Sequence, residues 1–258
     1  MIPLKDENPT TSRPVVTIAL IAACVAIFVF LQPKPARDIA GMEESLSFNL
    51  EVAAIPCEVV QGRPLSIGEI RQTFGDGDET ACQDRPVGPA PFADKGVYLA
   101  VLYSMFLHGS WLHLGGNMLF LWVFGNNIED RKGKVTYVGF YLLAGLAATA
   151  AHILVQPDST VPVVGASGAI AGVMGAYLVL YPNVRIRSLI LLGFIVLFRD
   201  IPAKWLLGIW LVSQFFINPN AGVAWVAHVG GFVFGIAAGF LWRATDDPDR
   251  RAVLNSPV

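Results

Sequence analysis

The chain has 258 residues, 54% hydrophobic and only 15% charged, with a mean hydropathy of +0.55. That composition is too apolar for an ordinary soluble domain and makes a lipid bilayer the expected solvent. A net charge of -2, with no cluster of Lys and Arg interleaved with aromatics, excludes a nucleic-acid-binding surface.

Residues 1–14 form a polar tail. Lys5 and Arg13 precede an apolar run from Val15 to Leu31 that is long for a signal-peptide core and is followed by no A-x-A-like site, so 15–31 reads as a retained first transmembrane helix. Residues 32–110 read as an extracytoplasmic loop with an interfacial helix. Its 32–95 stretch holds Pro33, Pro35, Pro56, Pro64, Pro86, Pro89 and Pro91 and the acidic run Asp76 to Glu79, the mark of a folded loop or small insertion. Cys57 and Cys82 lie in this loop and Cys24 in the first span; sequence leaves the pairing open.

A five-helix core follows over 111–242. Apolar runs long enough to cross a bilayer fall at 111–127, 135–155, 165–181, 202–217 and 223–242. Leu99 to Leu107 and Leu189 to Phe198 are too short; the second is flanked by Arg185, Arg187, Arg199 and Asp200, and both are expected as interfacial helices. Residues 243–258 form a C-terminal tail. The predicted fold is thus an all-α polytopic membrane protein, a bundle of six transmembrane helices with a long loop between the first two.

Basic residues set the orientation, because Lys and Arg accumulate in short cytoplasmic loops. Arg131, Lys132 and Lys134, then Arg185, Arg187 and Arg199, then Arg243, Arg250 and Arg251 mark the cytoplasmic side. The 156–164 and 217–222 loops have no Lys or Arg, and the 32–95 loop has six basic against eleven acidic residues, so these lie outside. Both termini are then cytoplasmic.

With that topology three helices carry reactive groups toward the outer face: His113 and Asn117 on the second span, Ser167 on the fourth, His228 on the sixth. His113 and Asn117, four residues apart, share a helix face and differ in depth by about 6 Å. Gly168, Gly172 and Gly175 on the fourth span and Gly231, Gly235 and Gly239 on the sixth let those two helices approach closely. Packing these stripes brings the Ser167 hydroxyl to the His228 imidazole, a nucleophile and its base.

Each signal has a plainer reading. G-A-S-G at 165–168 is by itself commoner in helix packing than in catalysis, and it is not the G-x-S-x-G nucleophile elbow, since residue 169 is Ala. His228 and Asn117 could simply hydrogen-bond across helices, but polar groups at membrane depth usually mark a function, and here they converge. His108 and His152 are read as interfacial residues. There is no H-E-x-x-H pair and no carboxylate within a span, so neither a zinc nor an aspartyl intramembrane protease is implied. No metal and no cofactor are expected.

In combination these motifs resemble the rhomboid family of intramembrane serine proteases, from the first span to the sixth. S-M-F-L-H-G-S-W-L-H-L-G-G-N from Ser104 to Asn117 is similar to the family's second-helix signature. G-A-S-G, with Gly165 and Gly168 around the serine, is similar to its nucleophile motif, and A-H-V-G-G from Ala227 to its base motif. The resemblance implies Ser167 as nucleophile, His228 as base, and His113, Asn117 and the Ser167 N–H as the oxyanion hole. It also places Glu129 where the family has a buried structural acid. Some members carry an aromatic one turn after the nucleophile that packs on the catalytic histidine; here that position is Ala171.

The implied reaction is hydrolysis of single-span membrane proteins within the bilayer through an acyl-enzyme, by a dyad whose tautomer is held by packing or water. The 217–222 loop would be the cap and the fifth span the mobile wall. Two other readings stay open on the sequence: a transporter or channel in which the same polar residues bind a solute, and a non-catalytic rhomboid-like chaperone. The setting expected is a bacterial inner membrane; the oligomeric state is left unassigned.

Overall fold

A computed structural model describes residues 1–34, 38–84, 86–193, 195–217 and 224–246. Of the expected cap at 217–222, all but Ile217 lies outside the described residues, as does most of the C-terminal tail. The chain is mostly helical: α1 (Val15–Phe30), α2 (Ile39–Val52), α3 (Pro56–Gln61), α4 (Ile67–Gly75), α5 (Leu99–Ser104), α6 (Trp111–Lys132), α7 (Lys134–Val155), α8 (Ser167–Leu180), α9 (Ala203–Gln214) and α10 (Trp225–Thr245). It is not all-α. Strands β1 (Ile2–Asp6), β2 (Arg185–Leu192) and β3 (Ile195–Pro202) form an antiparallel sheet in the order β1-β2-β3.

That sheet corrects the all-α expectation and the reading of 189–198. The Leu189 to Phe198 run is a hairpin, not an interfacial helix: Ile186, Leu189, Ile190, Ile195 and Val196 supply β-branched and bulky residues on both sides of a turn at Gly193, whose φ is +61°. The N-terminal segment is likewise structured. Ile2 pairs with Leu189 and Asp6 with Ile186, and Asp6 accepts hydrogen bonds from Asn127 Nδ2 and, at 3.1 Å, from the Tyr177 hydroxyl. Thr11 and Ser12 donate to Asp130. The N-terminal segment is therefore fastened to the end of α6 that carries the basic residues.

Glu129 is buried and caps α1. Its carboxylate accepts from the backbone N–H groups of Val16 and Thr17 at 2.9 and 2.8 Å and from the Thr17 hydroxyl at 2.9 Å. A carboxylate there satisfies donors that no helical carbonyl reaches and complements the helix dipole.

α8 is the central helix, with twelve of its fourteen residues buried. Its glycines permit this. A Cβ at Gly168 or Gly172 would stand 2.6 or 2.5 Å from Ala148 or Ala144 Cβ of α7. On the other side, a Cβ at Gly231 or Gly235 of α10 would run into the carbonyl of Gly168 or Gly172. α8 is thus held between α7 and α10 at nearly backbone-to-backbone distance.

By length and composition α7 and α10 can each cross a bilayer, and α1 and α8 are shorter apolar helices. α9 has 12 residues, about 18 Å of helix. Residues 39–95 hold helices α2 to α4, whose small core gathers Leu50, Ile55, Leu65 and the Cys57–Cys82 disulfide. Arg63 meets Glu69 by two hydrogen bonds of 2.9 and 2.8 Å. This unit grips the segment before α8: Val163 N–H donates to Ala54, Thr160 pairs with Thr73, and Cys57 N–H donates to Ser159.

Candidate active site

Ser110 opens α6 by accepting the His113 N–H at 3.1 Å, which starts the helix so that His113 and Asn117 follow on one face. His113 Nδ1 accepts from the Gly109 N–H at 3.4 Å, leaving Nε2 as the protonated nitrogen. That Nε2 lies against Gly165, where a Cβ would stand 2.8 Å away. Asn117 is buried, and its Nδ2 donor has no hydrogen-bond partner among the described residues.

Gly165 has φ +130°, a conformation that side chains other than glycine's rarely adopt, and its N–H donates to the Ser104 carbonyl at 2.9 Å. This turn delivers Ser167 as the first residue of α8. The Ser167 N–H is therefore among the four at a helix start that no helical carbonyl can use, at the positive end of the dipole.

His228 projects from the first turn of α10, and its Nε2 lies 2.8 Å from Ser167 Oγ. On the other side of the ring, Nδ1 lies 2.8 Å from Gln214 Oε1 at the end of α9. The indole of Trp210, one turn earlier on α9, packs obliquely against the imidazole with centroids 5.9 Å apart, and stacks at 5.7 Å on Phe232. A cavity of about 670 Å³ opens over the pair, lined by His113, Asn117, Ser167, Trp210 and His228 among others. It is large enough for a short extended segment and mixes apolar walls with a few convergent polar groups.

The structure thus brings Ser167, His228, His113 and Asn117 to one cavity, with Gly165 and Gly168 serving close approach. His108 and His152 do not line it. His108 packs edge-on against His113 at 5.1 Å, and its backbone N–H and carbonyl pair with the Gln32 amide; His152 is buried within α7. Sequence reasoning missed Gln214 and Trp210. The available signal was Gln214 itself, the lone amide of α9, since a polar group at membrane depth is costly unless it has a partner. Among the described residues, the His/Cys/carboxylate group that could in principle hold a metal is Cys57, Glu69 and Cys82. Its sulfurs are joined to each other and its carboxylate is taken by Arg63.

These features define a mostly helical protein in which a serine and a histidine are hydrogen-bonded in an open cavity, beside an Asn117 amide donor with no partner among the described residues. Residues 95–245, more than half of the chain, match the family model described as the Rhomboid domain, and the chain belongs to the rhomboid family. It is 26% identical over 170 residues to Rhomboid protein 1, mitochondrial, of Saccharomyces cerevisiae, covering 61% of this chain and 46% of that protein. Over 150 residues it is 31% identical to the human Presenilin-associated rhomboid-like protein, mitochondrial, covering 56% and 38%. With Rhomboid-like protein 11, chloroplastic, of Arabidopsis thaliana it shares 39% identity over 69 residues, 27% of this chain and 24% of that one. The chain spans less than half the length of these curated relatives.

Proposed function

We propose that this chain is an intramembrane serine endopeptidase that cleaves single-span membrane proteins near the outer face of the bilayer through an acyl-enzyme. The 2.8 Å contact between His228 Nε2 and Ser167 Oγ carries this reading. His228 takes the hydroxyl proton as Oγ attacks the scissile carbonyl, then returns it to the leaving amine. Negative charge develops on the carbonyl oxygen. His113 Nε2–H, the unpartnered Asn117 amide and the Ser167 N–H are the donors that meet it, each worth roughly 10² to 10³ in rate. Water then resolves the ester, admitted by the open cavity.

The wider reading is a bundle of six spans, α1, α6, α7, α8, α9 and α10, in a bacterial plasma membrane with both termini cytoplasmic. The alternation of basic loops supports it. A substrate helix must be opened locally to expose its carbonyls, and it enters past α9, which packs against α8 and α10 far less closely than those two pack together.

The test is purified protein in detergent, wild type beside Ser167→Ala and His228→Ala, with a single-span substrate and a fluorophosphonate probe. Cleavage in wild type that is lost in both variants, with labelling lost in Ser167→Ala, is expected. If wild type cleaves none of several substrates and is not labelled, the reading is overturned in favour of a non-catalytic chaperone or transporter.

A further inference from the structure

We infer that Gln214 is a positioning residue: its amide oxygen holds the His228 ring with the proton on Nδ1 and the bare Nε2 facing Ser167. The inference rests on the protease reading for its consequence, though not for its geometry.

The amide's orientation follows from its surroundings. Gln214 is buried, and its Nε2 lies 3.1 Å from the Trp210 carbonyl and 3.3 Å from Ser213 Oγ. A carbonyl only accepts. The NH2 end of the amide must face Trp210 O, which leaves Oε1 as the atom 2.8 Å from His228 Nδ1. An amide oxygen likewise only accepts, so the imidazole nitrogen facing it must donate. In the neutral ring one nitrogen carries the proton and the other a lone pair. With Nδ1 protonated, Nε2 accepts from the Ser167 hydroxyl at 2.8 Å, which is the direction of transfer that a general base requires. The opposite tautomer would place two lone pairs against each other at Gln214 and an N–H against the serine.

Among the described residues, no charged group is in hydrogen-bond contact with the ring. The titratable side chains that act on His228 are His113 on α6 and His152 on α7, and the groups in direct polar contact with it among the described residues are Ser167 of α8 and Gln214 of α9. The role that an aspartate plays in a serine triad, fixing tautomer and ring orientation, therefore falls to a neutral amide, with Trp210 against the ring from the same helix.

The experiment uses the full chain in detergent, as wild type, Gln214→Met and Gln214→Glu, each first shown to be monodisperse. Ring nitrogens are labelled with ¹⁵N-histidine, and the His228 signals are identified by their loss in His228→Ala. Wild type should show a protonated Nδ1 and a bare Nε2. Methionine keeps the volume but offers only a weakly accepting thioether, so Gln214→Met should shift His228 toward the other tautomer and lower turnover tenfold or more, with KM changed less. Glutamate keeps an acceptor, and Gln214→Glu should restore the tautomer and part of the rate. An Nε2-protonated wild type, or a Gln214→Met protein with wild-type ring signals and turnover, would overturn the inference. If wild type neither cleaves nor labels, the protease reading falls, and the tautomer spectrum alone decides the hydrogen bond.

Discussion

Gly165→Ala separates backbone strain from damage to the site. The new Cβ would stand 2.8 Å from His113 Nε2, 2.9 Å from its Cε1 and 3.4 Å from Ser167 Oγ. Non-bonded heavy atoms rest at about 3.5 Å, so His113 must retreat by roughly 0.7 Å or the turn must move. A donor displaced that far from a developing oxyanion should cost on the order of 10² in kcat. The φ of +130° adds backbone strain of about 1 to 3 kcal/mol. Gly133→Ala is the control: Gly133 also has a positive φ, +79°, but a Cβ there meets nothing within 4 Å. It should lower thermal stability and leave cleavage unchanged. The assay is steady-state cleavage of a single-span substrate, with fluorophosphonate labelling and apparent melting temperature on the same preparations. Because Gly165→Ala acts through His113, adding it to His113→Ala should cause little further loss. Turnover by Gly165→Ala within threefold of wild type would refute the argument.

Gly231→Ala, one turn below His228, places a methyl against the Gly168 carbonyl and should part α8 from α10 enough to break the serine–histidine contact; near wild-type labelling would contradict it. Glu129→Ala leaves the N–H groups of Val16 and Thr17 without their acceptor and should cost at least about 2 kcal/mol, read as a lower melting temperature with α1 exposed to proteolysis. In the α2–α4 unit, burial opposes ionisation of Glu69, but Arg63 and the N–H groups of Ser66 and Gln83 outweigh it and hold the carboxyl at about 2 against an ordinary 4.5. A carboxyl with a lowered folded pKa contributes fully above about pH 4.5 and loses that contribution as pH falls toward 2. Pepsin cleavage within 62–84 of the full chain should rise across that window in wild type, and the rise should be absent in Glu69→Gln.

The helices that carry the site were legible because their signals are local. A four-residue glycine spacing is visible in a single sequence, and it dictates which helices touch: α8 meets α10 through those glycines. The sheet was hidden for the opposite reason. Leu189 to Phe198 is as apolar as a short helix, and periodicity cannot tell a short apolar strand from a buried helical segment. Its partner, Ile2 to Asp6, lies some 180 residues away in the chain. The prolines of the 39–95 unit mark a folded loop or small insertion, and two cysteines in one loop raise the Cys57–Cys82 bond without settling it, whereas the unit's grip on residues 159–163 has no sequence signature.

At the candidate site, the residues proposed to do chemistry were recognisable and those proposed to orient them were not. Ser167, His228, His113 and Asn117 sit in motifs, whereas Gln214 and Trp210 sit in an ordinary apolar helix and matter only through where α9 packs. The sequence's own departure at Ala171 finds its explanation there. Ala171 is fully buried, and it is Trp210 of α9 that packs against the imidazole. Both groups that hold the ring thus ride on the helix proposed as the moving wall. Displacing α9 would remove the Nδ1 acceptor and the aromatic wall together, so opening the cavity and arming the base become opposed states of one element. On the proposed reading, a substrate admitted past α9 would be cut only after α9 returns, which would tie hydrolysis to closure around a bound segment and keep an open cavity from holding an ordered base.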